Sequence, residues 1–353
     1  MNTDVARVGV VGCGIIAHRY VAGSAAFDTF DVVACADLDS ASARAFAQKH
    51  GLQSRSVDEL LSDPGVEVVL NLTPPSAHMA VSAAAIEVGK HVYTEKPLAT
   101  SLDDGTRLVE EAERRGVRLG CAPDTFLGSA YQAGREIIAR GQIGVPLGAT
   151  AAILLGGPDS WHPNADDFFR AGTGPLFDIG PYYLTAIVAL LGPIAEAVAF
   201  ASTPTPTRTF GVGPRAGEEF TVDVPTHVVS LLRLESGAIA TLTVSFEARD
   251  QYDSGLVVHG SEGSLELPDA NDFGGEVRVR RGNGDWSPFP YASRGGQETR
   301  GIGLHDMLEA AREGRPHQAS GTLGLHVLEA GVAALRSATG GRAVPVTTTV
   351  PGW

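Results

Sequence analysis

The sequence predicts two halves of different class: a doubly wound α/β domain, then an α+β domain with a predominantly antiparallel, open-faced sheet. Three observations lead there. Over the first third, short β-branched runs alternate with helical patterns. After about residue 125 that rhythm gives way to alternating strands joined as hairpins. And 353 residues exceed the roughly 100–200 of one ordinary domain. Residues 1–125 are assigned to the first domain and 126–353 to the second.

The first strand is read at "RVGVVG" (7–12), with "IIAHRYVAGSAA" continuing as a helix. "DVVACAD" (31–37) is the second strand, followed by an Ala-rich helix over 40–50. "VEVVLNLT" (66–73), "HVYTE" (91–95) and "VRLGCA" (117–122) are further strands, with helices at 76–89 and 101–115 between them. Continuous apolar strands alternating with helices indicate a parallel sheet covered on both faces.

The second half begins with a helix near 128–140, a strand near 147–156 and a strongly apolar helix over about 176–191. "THVVSLLRLESGAIATLTVSFEA" holds two alternating runs joined at "ESGA", a hairpin signal that "LVVHGSEGSLEL" repeats. Helices over 302–313 and 321–338 precede a last strand, "AVPVTT". "GPRAGEEF" (213–220) and "YASRGGQETRG" (291–301) are the expected mobile loops.

A 43% hydrophobic and 19% charged composition suits a chain with a sizeable core. The net charge of -14 argues against a nucleic-acid partner, because phosphate contacts need clustered Lys and Arg. An anionic cofactor stays possible, since local backbone donors outweigh the global field. Cys13, Cys35 and Cys121 follow no metal-like or CxxC spacing and read as reduced, packed thiols of a cytoplasmic protein. No apolar run reaches the ~20 residues of a membrane span, and no basic start leads into an apolar h-region, so a soluble protein is expected. The histidines show no HxH or HExxH spacing and no GxSxG elbow occurs, so neither a metal site nor a serine nucleophile is expected.

Chemistry concentrates at strand ends. "GVVGCGIIA" supplies Gly12-x-Gly14-x-x-Ala17 between the first strand and its helix. The first glycine permits a tight turn, the second lets a pyrophosphate approach, and the small third residue packs helix on strand. N–H groups at the helix start, at Ile15 and Ile16, would hold the phosphates together with the positive end of the dipole. Asp37 ends the next strand, 25 positions past Gly12, where a carboxylate grips the adenosine ribose. That charge repels a 2′-phosphate, so NAD is expected over NADP, and Arg44 lies too far along its helix to reverse this. Thr73 and Pro74 follow the third apolar strand, on the edge where ligands of open α/β sheets bind. Pro75 equally well initiates the next helix.

Only three lysines occur, Lys49, Lys90 and Lys96, in a chain that otherwise uses arginine. Glu95 and Lys96 stand at the carboxyl end of the fourth strand, and Pro97 biases the lysine towards extended backbone. A lysine can shift its pKa and exchange a proton, which an arginine does not. The plain alternative is a surface ion pair with Glu95. Further on, Asp178 and Tyr182 are four apart, one face of a helix, with Tyr183 turned about 100° away. Pro181 suits a first helical turn, so the helix is expected to start near Asp178.

Together, "GVVGCGIIA", "TPPSAH", "EKPLA" and "GPLFDIGPYYL" resemble the Gfo/Idh/MocA oxidoreductases over essentially the whole chain. The resemblance implies a nicotinamide held by the first domain with its reactive face towards the second domain's sheet. It also implies that Lys96 belongs to the catalytic group with Asp178 and Tyr182, the tyrosine standing where many members carry histidine. A phenol of pKa roughly 10 is a poor base, and a neighbouring ammonium lowers it; Lys96 would supply that charge, with Asp178 binding a hydroxyl or orienting the amine. Whether Lys96 or Tyr182 is the proximate base stays open.

Many members carry Asn or Arg after the last strand of the first domain; here Asp124 and Phe126 occupy that crossover and are assigned to the substrate side. Trp161 could stack on a sugar's C–H face, and His162 could bind hydroxyls or act as a second acid/base. The expected function is NAD(P)-dependent hydride transfer to or from a secondary alcohol or ketone of a sugar, cyclitol or related polyol. The alternatives are NAD-assisted glycoside cleavage through a transient keto-sugar, and a non-enzymatic nicotinamide sensor. By family analogy the open sheet face joins copies into a homodimer or homotetramer.

Overall fold

The computed structural model describes residues 5–248 and 255–352. The chain opens with β1 (Ala6–Val11), α1 (Ile15–Ser24), β2 (Phe30–Ala36), α2 (Ser40–His50), β3 (Gln53–Arg55) and α3 (Val57–Ser62). It continues with β4 (Val68–Asn71), α4 (Pro75–Glu87), β5 (His91–Thr94), α5 (Leu102–Arg115) and β6 (Leu119–Cys121). All six strands are parallel, in the order β3-β2-β1-β4-β5-β6, the doubly wound arrangement whose direction reverses between β1 and β4. Every residue of β4 is buried, as a central strand covered on both faces requires. Leu60, Ile86, Leu98, Leu108 and Ala112 pack with Val11, Val69, Val92 and Leu119 into one apolar cluster.

The helix ends follow local chemistry. Asp39 accepts the Ala41 N–H at the start of α2, and Gly51 closes that helix in the left-handed region at φ 70°. Ser56 and Glu59 form a reciprocal capping box on α3. Ser101 caps α5, which ends at Gly116, φ 67°. β3 and α3 add to the elements expected from sequence. "QSR" has no apolar residue and pairs only as an edge, so no periodicity betrays it.

Beyond Asp124 come α6 (Ser129–Ala139), β7 (Pro146–Leu154), α7 (Pro175–Asp178), α8 (Gly180–Leu191), β8 (Ile194–Ser202), β9 (Thr207–Thr209) and β10 (Glu219–Thr221). Next are β11 (His227–Leu234), β12 (Ile239–Ser245), β13 (Gly255–Gly260), β14 (Gly263–Leu267), β15 (Arg278–Arg281) and β16 (Ser287–Pro288). The chain finishes with α9 (Ile302–Glu313), α10 (Gly321–Gly340) and β17 (Val344–Pro345). Nine strands form one sheet in the order β16-β15-β14-β13-β7-β12-β11-β8-β17. Among the described residues its only parallel pair is β12 with β7.

Strict alternation along β11 buries Val228, Ser230, Leu232 and Leu234 and turns Val229, Leu231 and Arg233 outward. Register puts Phe200 opposite Val229 and Ile239 opposite Arg233, so these apolar side chains share the open face. The fully buried helix α8 packs against β7 and β12. This matches the expected open-faced, mainly antiparallel sheet. No helix among the described residues is long and apolar enough to cross a membrane.

Two compact units emerge: the chain up to Asp124 with Arg294–Leu325, and Thr125–Ser293 with the residues from His326 on. The segment 294–325 thus packs with the first unit, whereas the sequence boundary left it with the second. Long-range polar bonds hold it there. Arg118 donates to the carbonyls of Ala310 and Arg315, both at 3.0 Å, and Cys121 N–H donates to the Ala319 carbonyl at 3.0 Å. No local pattern announces such partners.

His317 belongs to this attachment. Its Nδ1 accepts from Arg118 Nη1 (3.3 Å), so Nε2 carries the proton and donates to the Leu119 carbonyl (3.1 Å). Burial, the largest influence, pulls its pKa down from 6.5 to about 4. A ring kept neutral when folded, yet free to protonate when unfolded, stabilises the fold fully above the unfolded pKa and progressively less below it. As pH falls from 6.5 to about 4, the native protein should lose about 1–3 kcal/mol of stability that His317→Gln does not lose. Urea unfolding across that range measures it.

Candidate active site

In the first unit the glycine loop has the shape that a dinucleotide needs. Gly12 has φ 97°, and a Cβ there would lie 2.6 Å from the Leu72 carbonyl and 2.7 Å from Thr73 N, so no larger residue fits. At Gly14 a Cβ would meet nothing within 4 Å. Gly14 also gives α1 no side-chain cap, and no acidic residue stands in the first turn. An open space before a helix start with N–H groups directed outward fits a pyrophosphate. Ile15 is exposed beside it and Ile16 half-buried.

Asp37 stands just past β2, tied back to the glycine loop. Its carboxylate accepts the Cys13 N–H at 2.8 Å and the Asp39 N–H at 2.9 Å. Two carboxylate oxygens keep further lone pairs for hydroxyls of a ribose. A pocket of about 670 Å³ opens beside it, lined among others by Leu38, Ser40, Arg44, Arg55 and Ser56. The Cys13 thiol donates to the Ala36 carbonyl at 3.6 Å, and the neighbouring Cys35 thiol together with burial pushes its pKa up. Cys35 and Cys121 are buried, and all three cysteines are free thiols.

The next loops carry the other expected residues. Thr73 donates its hydroxyl to Asn71 Oδ1 at 2.7 Å, which fixes the loop before α4, and Pro74 is the residue that precedes that helix. Glu95 is buried: its Oε1 accepts the Tyr20 hydroxyl at 2.8 Å, and its Oε2 accepts the Lys96 N–H at 3.1 Å. Lys96 is half-buried on the carboxyl side of β5 and precedes a cis peptide bond to Pro97.

Asp124, assigned to the substrate side from sequence, is enclosed in the first unit. It is 0% exposed, and its carboxylate accepts from Arg300 Nη1 (3.3 Å) and from the N–H groups of Gly301 and Gly303 (3.2 Å each). A group without accessible surface has none to offer a ligand, so we read Asp124 as the anchor of the segment leading into α9, in place of a substrate contact. Phe126 is likewise buried, in a short 3-10 turn of the second unit, and we read it as core.

The second unit holds the remaining residues. The N–H groups of Asp178 and Ile179 bond back to the carbonyls of Gly174 (2.9 Å) and Pro175 (3.1 Å). Helix formation therefore starts at Pro175, close to the start of the apolar run read over about 176–191 and ahead of Asp178, and Pro181 falls in the first turn of α8. Ile179 keeps right-handed helical backbone (φ -101°, ψ -28°) between the two pieces, so Asp178 and Tyr182 remain about one turn apart. Tyr182 is buried and Asp178 half-buried. Tyr183 donates to Asp269 Oδ1 at 2.9 Å, a structural bond.

Trp161 is 58% exposed and meets the His162 ring edge-on at 5.4 Å. His162 Nδ1 accepts the Asn164 N–H at 3.1 Å, which leaves the ring's N–H on Nε2. Arg208, unnoticed in the sequence, holds this loop. It donates to Asp159 Oδ1 at 2.7 Å, Gly156 O at 3.1 Å and Phe246 O at 2.7 Å, and lies over the Phe169 ring. A lone arginine in "TPTPTRTF" carries no local signal of that role. No cluster of three metal-ligating side chains occurs among the described residues.

Known proteins share this combination. The model of the GFO/IDH/MocA oxidoreductase family, NAD-binding Rossmann fold, matches 6–122, and the family's C-terminal domain model matches 131–266. The 1,5-anhydro-D-fructose reductase of Ensifer adhaerens is 30% identical over 350 residues, 97% of this chain and 99% of that protein. The chain belongs to the Gfo/Idh/MocA family. Membership makes it an oxidoreductase with a nicotinamide-dinucleotide fold, and the glycine loop and Asp37 fit that group. Another family member, the levoglucosan dehydrogenase of Pseudarthrobacter phenanthrenivorans, is 27% identical, covering 87% of this chain and 90% of that protein. A solved structure of levoglucosan dehydrogenase with NADH and L-sorbose superposes with a TM-score of 0.84 at 25% identity, covering 97% of this chain and 99% of that one.

Proposed function

We propose that this Gfo/Idh/MocA member transfers hydride between NAD and a secondary alcohol or ketone of a sugar, cyclitol or related polyol. The observation that carries the reading is the fit of one sheet edge to a dinucleotide. A glycine loop open at Gly14 lies on the carboxyl edge of the strands that also present Asp37 and Lys96. A bound nicotinamide would supply the hydride acceptor or donor. Gly12, Gly14, Ile15, Ile16, Thr73 and Pro74 hold the dinucleotide, with Asp37 on its ribose hydroxyls and Glu95 supporting the nicotinamide end. Lys96, Asp178 and Tyr182 act as the catalytic group: the amine and phenol move the substrate's proton, while Asp178 binds a hydroxyl or orients the amine. Trp161 offers an exposed indole to a sugar's C–H face, and His162 Nε2–H a donor to its hydroxyls.

Relatives named for an anhydrofructose and for levoglucosan support a cyclic polyhydroxy substrate, and their names as reductase and dehydrogenase favour net redox over glycoside cleavage. The second unit is the substrate and assembly domain. Its open face, with Phe200, Val229, Leu231 and Ile239 exposed, receives a second copy of the chain. The net charge of -14 and the free thiols suit a cytoplasmic enzyme acting on a small molecule.

A panel of sugars, anhydrosugars and cyclitols, assayed with NAD and NADP at the reduced-nicotinamide absorbance, tests the reading. Turnover with NAD is expected; glycoside cleavage with no net NADH would overturn it. Asp37→Ala should shift kcat/KM towards NADP by about tenfold or more, about 1.4 kcal/mol. An unchanged NAD/NADP ratio would remove Asp37 from the ribose site.

A further inference from the structure

Lys96 lies on a loop, and an amine at the end of four methylenes is aimed only as well as the backbone beneath it. Both chain neighbours of Lys96 are gripped by buried side chains. On one side Glu95, 8% exposed, bridges two donors: the Tyr20 hydroxyl on Oε1 (2.8 Å) and the Lys96 N–H itself on Oε2 (3.1 Å). Tyr20 is 1% exposed on α1, and burial, then Glu95, raise its pKa, so its hydroxyl stays a donor.

On the other side the Pro97 carbonyl faces Nδ1 of His78 at 2.7 Å, while Nε2 of the same ring faces the Thr73 carbonyl at 2.8 Å. His78 is 1% exposed on α4. Burial lowers the His78 pKa against the raising pull of the two carbonyls, so the neutral ring has one N–H, which donates to the Pro97 carbonyl from Nδ1 in one tautomer and to the Thr73 carbonyl from Nε2 in the other. The frame continues beneath it. Asn71 donates to the His78 carbonyl at 3.0 Å and accepts the Thr73 hydroxyl at 2.7 Å, and the Glu95 N–H donates to the Asn71 carbonyl at 2.9 Å.

The two gripping helices, α1 and α4, are those entered through the Gly12–Gly14 loop and the Thr73–Pro74 loop. We propose that Tyr20 and His78 are positioning residues that tie the backbone on either side of Lys96 to the helices behind the two dinucleotide loops, so that one buried hydrogen-bonded frame sets the direction of the amine. The proposal rests on the catalytic reading of Lys96. It gives both residues a purpose that packing alone leaves unexplained: phenylalanine would fill either space without the polar atoms.

A double-mutant cycle tests it. Tyr20→Phe and His78→Phe are made singly and in the Lys96→Ala background, with kcat measured at high enzyme concentration and NADH affinity by fluorescence titration. Each should lower kcat about 10- to 100-fold in the native background, with NADH affinity for Tyr20→Phe within about threefold. In Lys96→Ala each should cost less than about twofold, because the group through which it acts is gone. Equal losses in both backgrounds, or no loss in either, would overturn the proposal. Full turnover by Lys96→Ala itself would instead defeat the catalytic reading.

A second measurement needs neither substrate nor cofactor. With three lysines in the chain, reductive methylation with ¹³C-formaldehyde places resolvable labels on Lys49, Lys90 and Lys96. In Tyr20→Phe the Lys96 midpoint should move by about half a pH unit or more, while that of exposed Lys49 stays put. An unmoved Lys96 resonance would count against the frame. Tyr20→Phe removes one oxygen only and carries the test if His78→Phe fails to fold.

Discussion

Lys96→Ala should lower kcat by about 10³-fold while leaving NADH affinity within about threefold. The asymmetry follows from where each task is placed. Dinucleotide affinity is assigned to backbone and carboxylate groups of the glycine loop and Asp37, which are bonded to one another through the Cys13 N–H. Proton movement is assigned to an amine on a different strand end. Lys96→Arg sharpens the experiment. It restores positive charge but not an exchangeable proton, and its planar fork grips carboxylates bidentately, so it should stay within about tenfold of the alanine variant. Steady-state kinetics beside a fluorescence titration read both quantities. A folded Lys96→Ala that keeps turnover within about tenfold of native would remove the lysine from the chemistry.

The parts of this molecule readable in the sequence are those whose cause is local. The Gly12–Gly14 turn, the apolar strands and the helices over 40–50 and 302–313 depend on neighbours within a few positions, and they lie where periodicity and capping put them. The hairpin at "ESGA" is legible for the same reason, as β11 and β12 pair across it from Arg233 and Ile239 outward. Elements with non-local causes were hidden. β3 is a polar three-residue edge that exists because β2 offers a free side. The return of 294–325 to the first unit depends on Arg118 and Asp124, more than 170 positions away in sequence.

The site divides along the same line. Gly12, Gly14, Asp37 and Lys96 could be proposed because their chemistry is tied to a strand end, a position that a sequence pattern marks. Tyr20, His78 and Arg208 could not, because an ordinary aromatic, histidine or arginine gains its role only from its partner. Tyr20 reaches Glu95 across 75 positions and Arg208 reaches Phe246 across 38. "TPPSAH" did contain His78, but as part of a family likeness and not as a group with a task.

Asp124→Ala should destabilise the protein by about 3–5 kcal/mol, the usual penalty for removing one member of a buried ion pair. It strips Arg300, a residue only 7% exposed, of a carboxylate, and it leaves the Gly301 and Gly303 N–H groups without that acceptor at the entry to α9. Asp124→Asn keeps an acceptor oxygen and should cost less, about 1–3 kcal/mol. The two also differ with pH. Burial raises the Asp124 pKa, opposed by Arg300 and by the Gly303 and Gly301 N–H groups. A carboxyl that binds its proton more readily when folded contributes most in acid, and that contribution is lost as pH rises through the folded pKa. Asparagine has no proton to exchange, so its stability should lack that downward slope. Had Asp124 been a substrate contact, both substitutions would raise KM and leave unfolding untouched. Urea titrations of the three proteins at several pH values, beside KM for the best substrate of the panel, decide between anchor and contact.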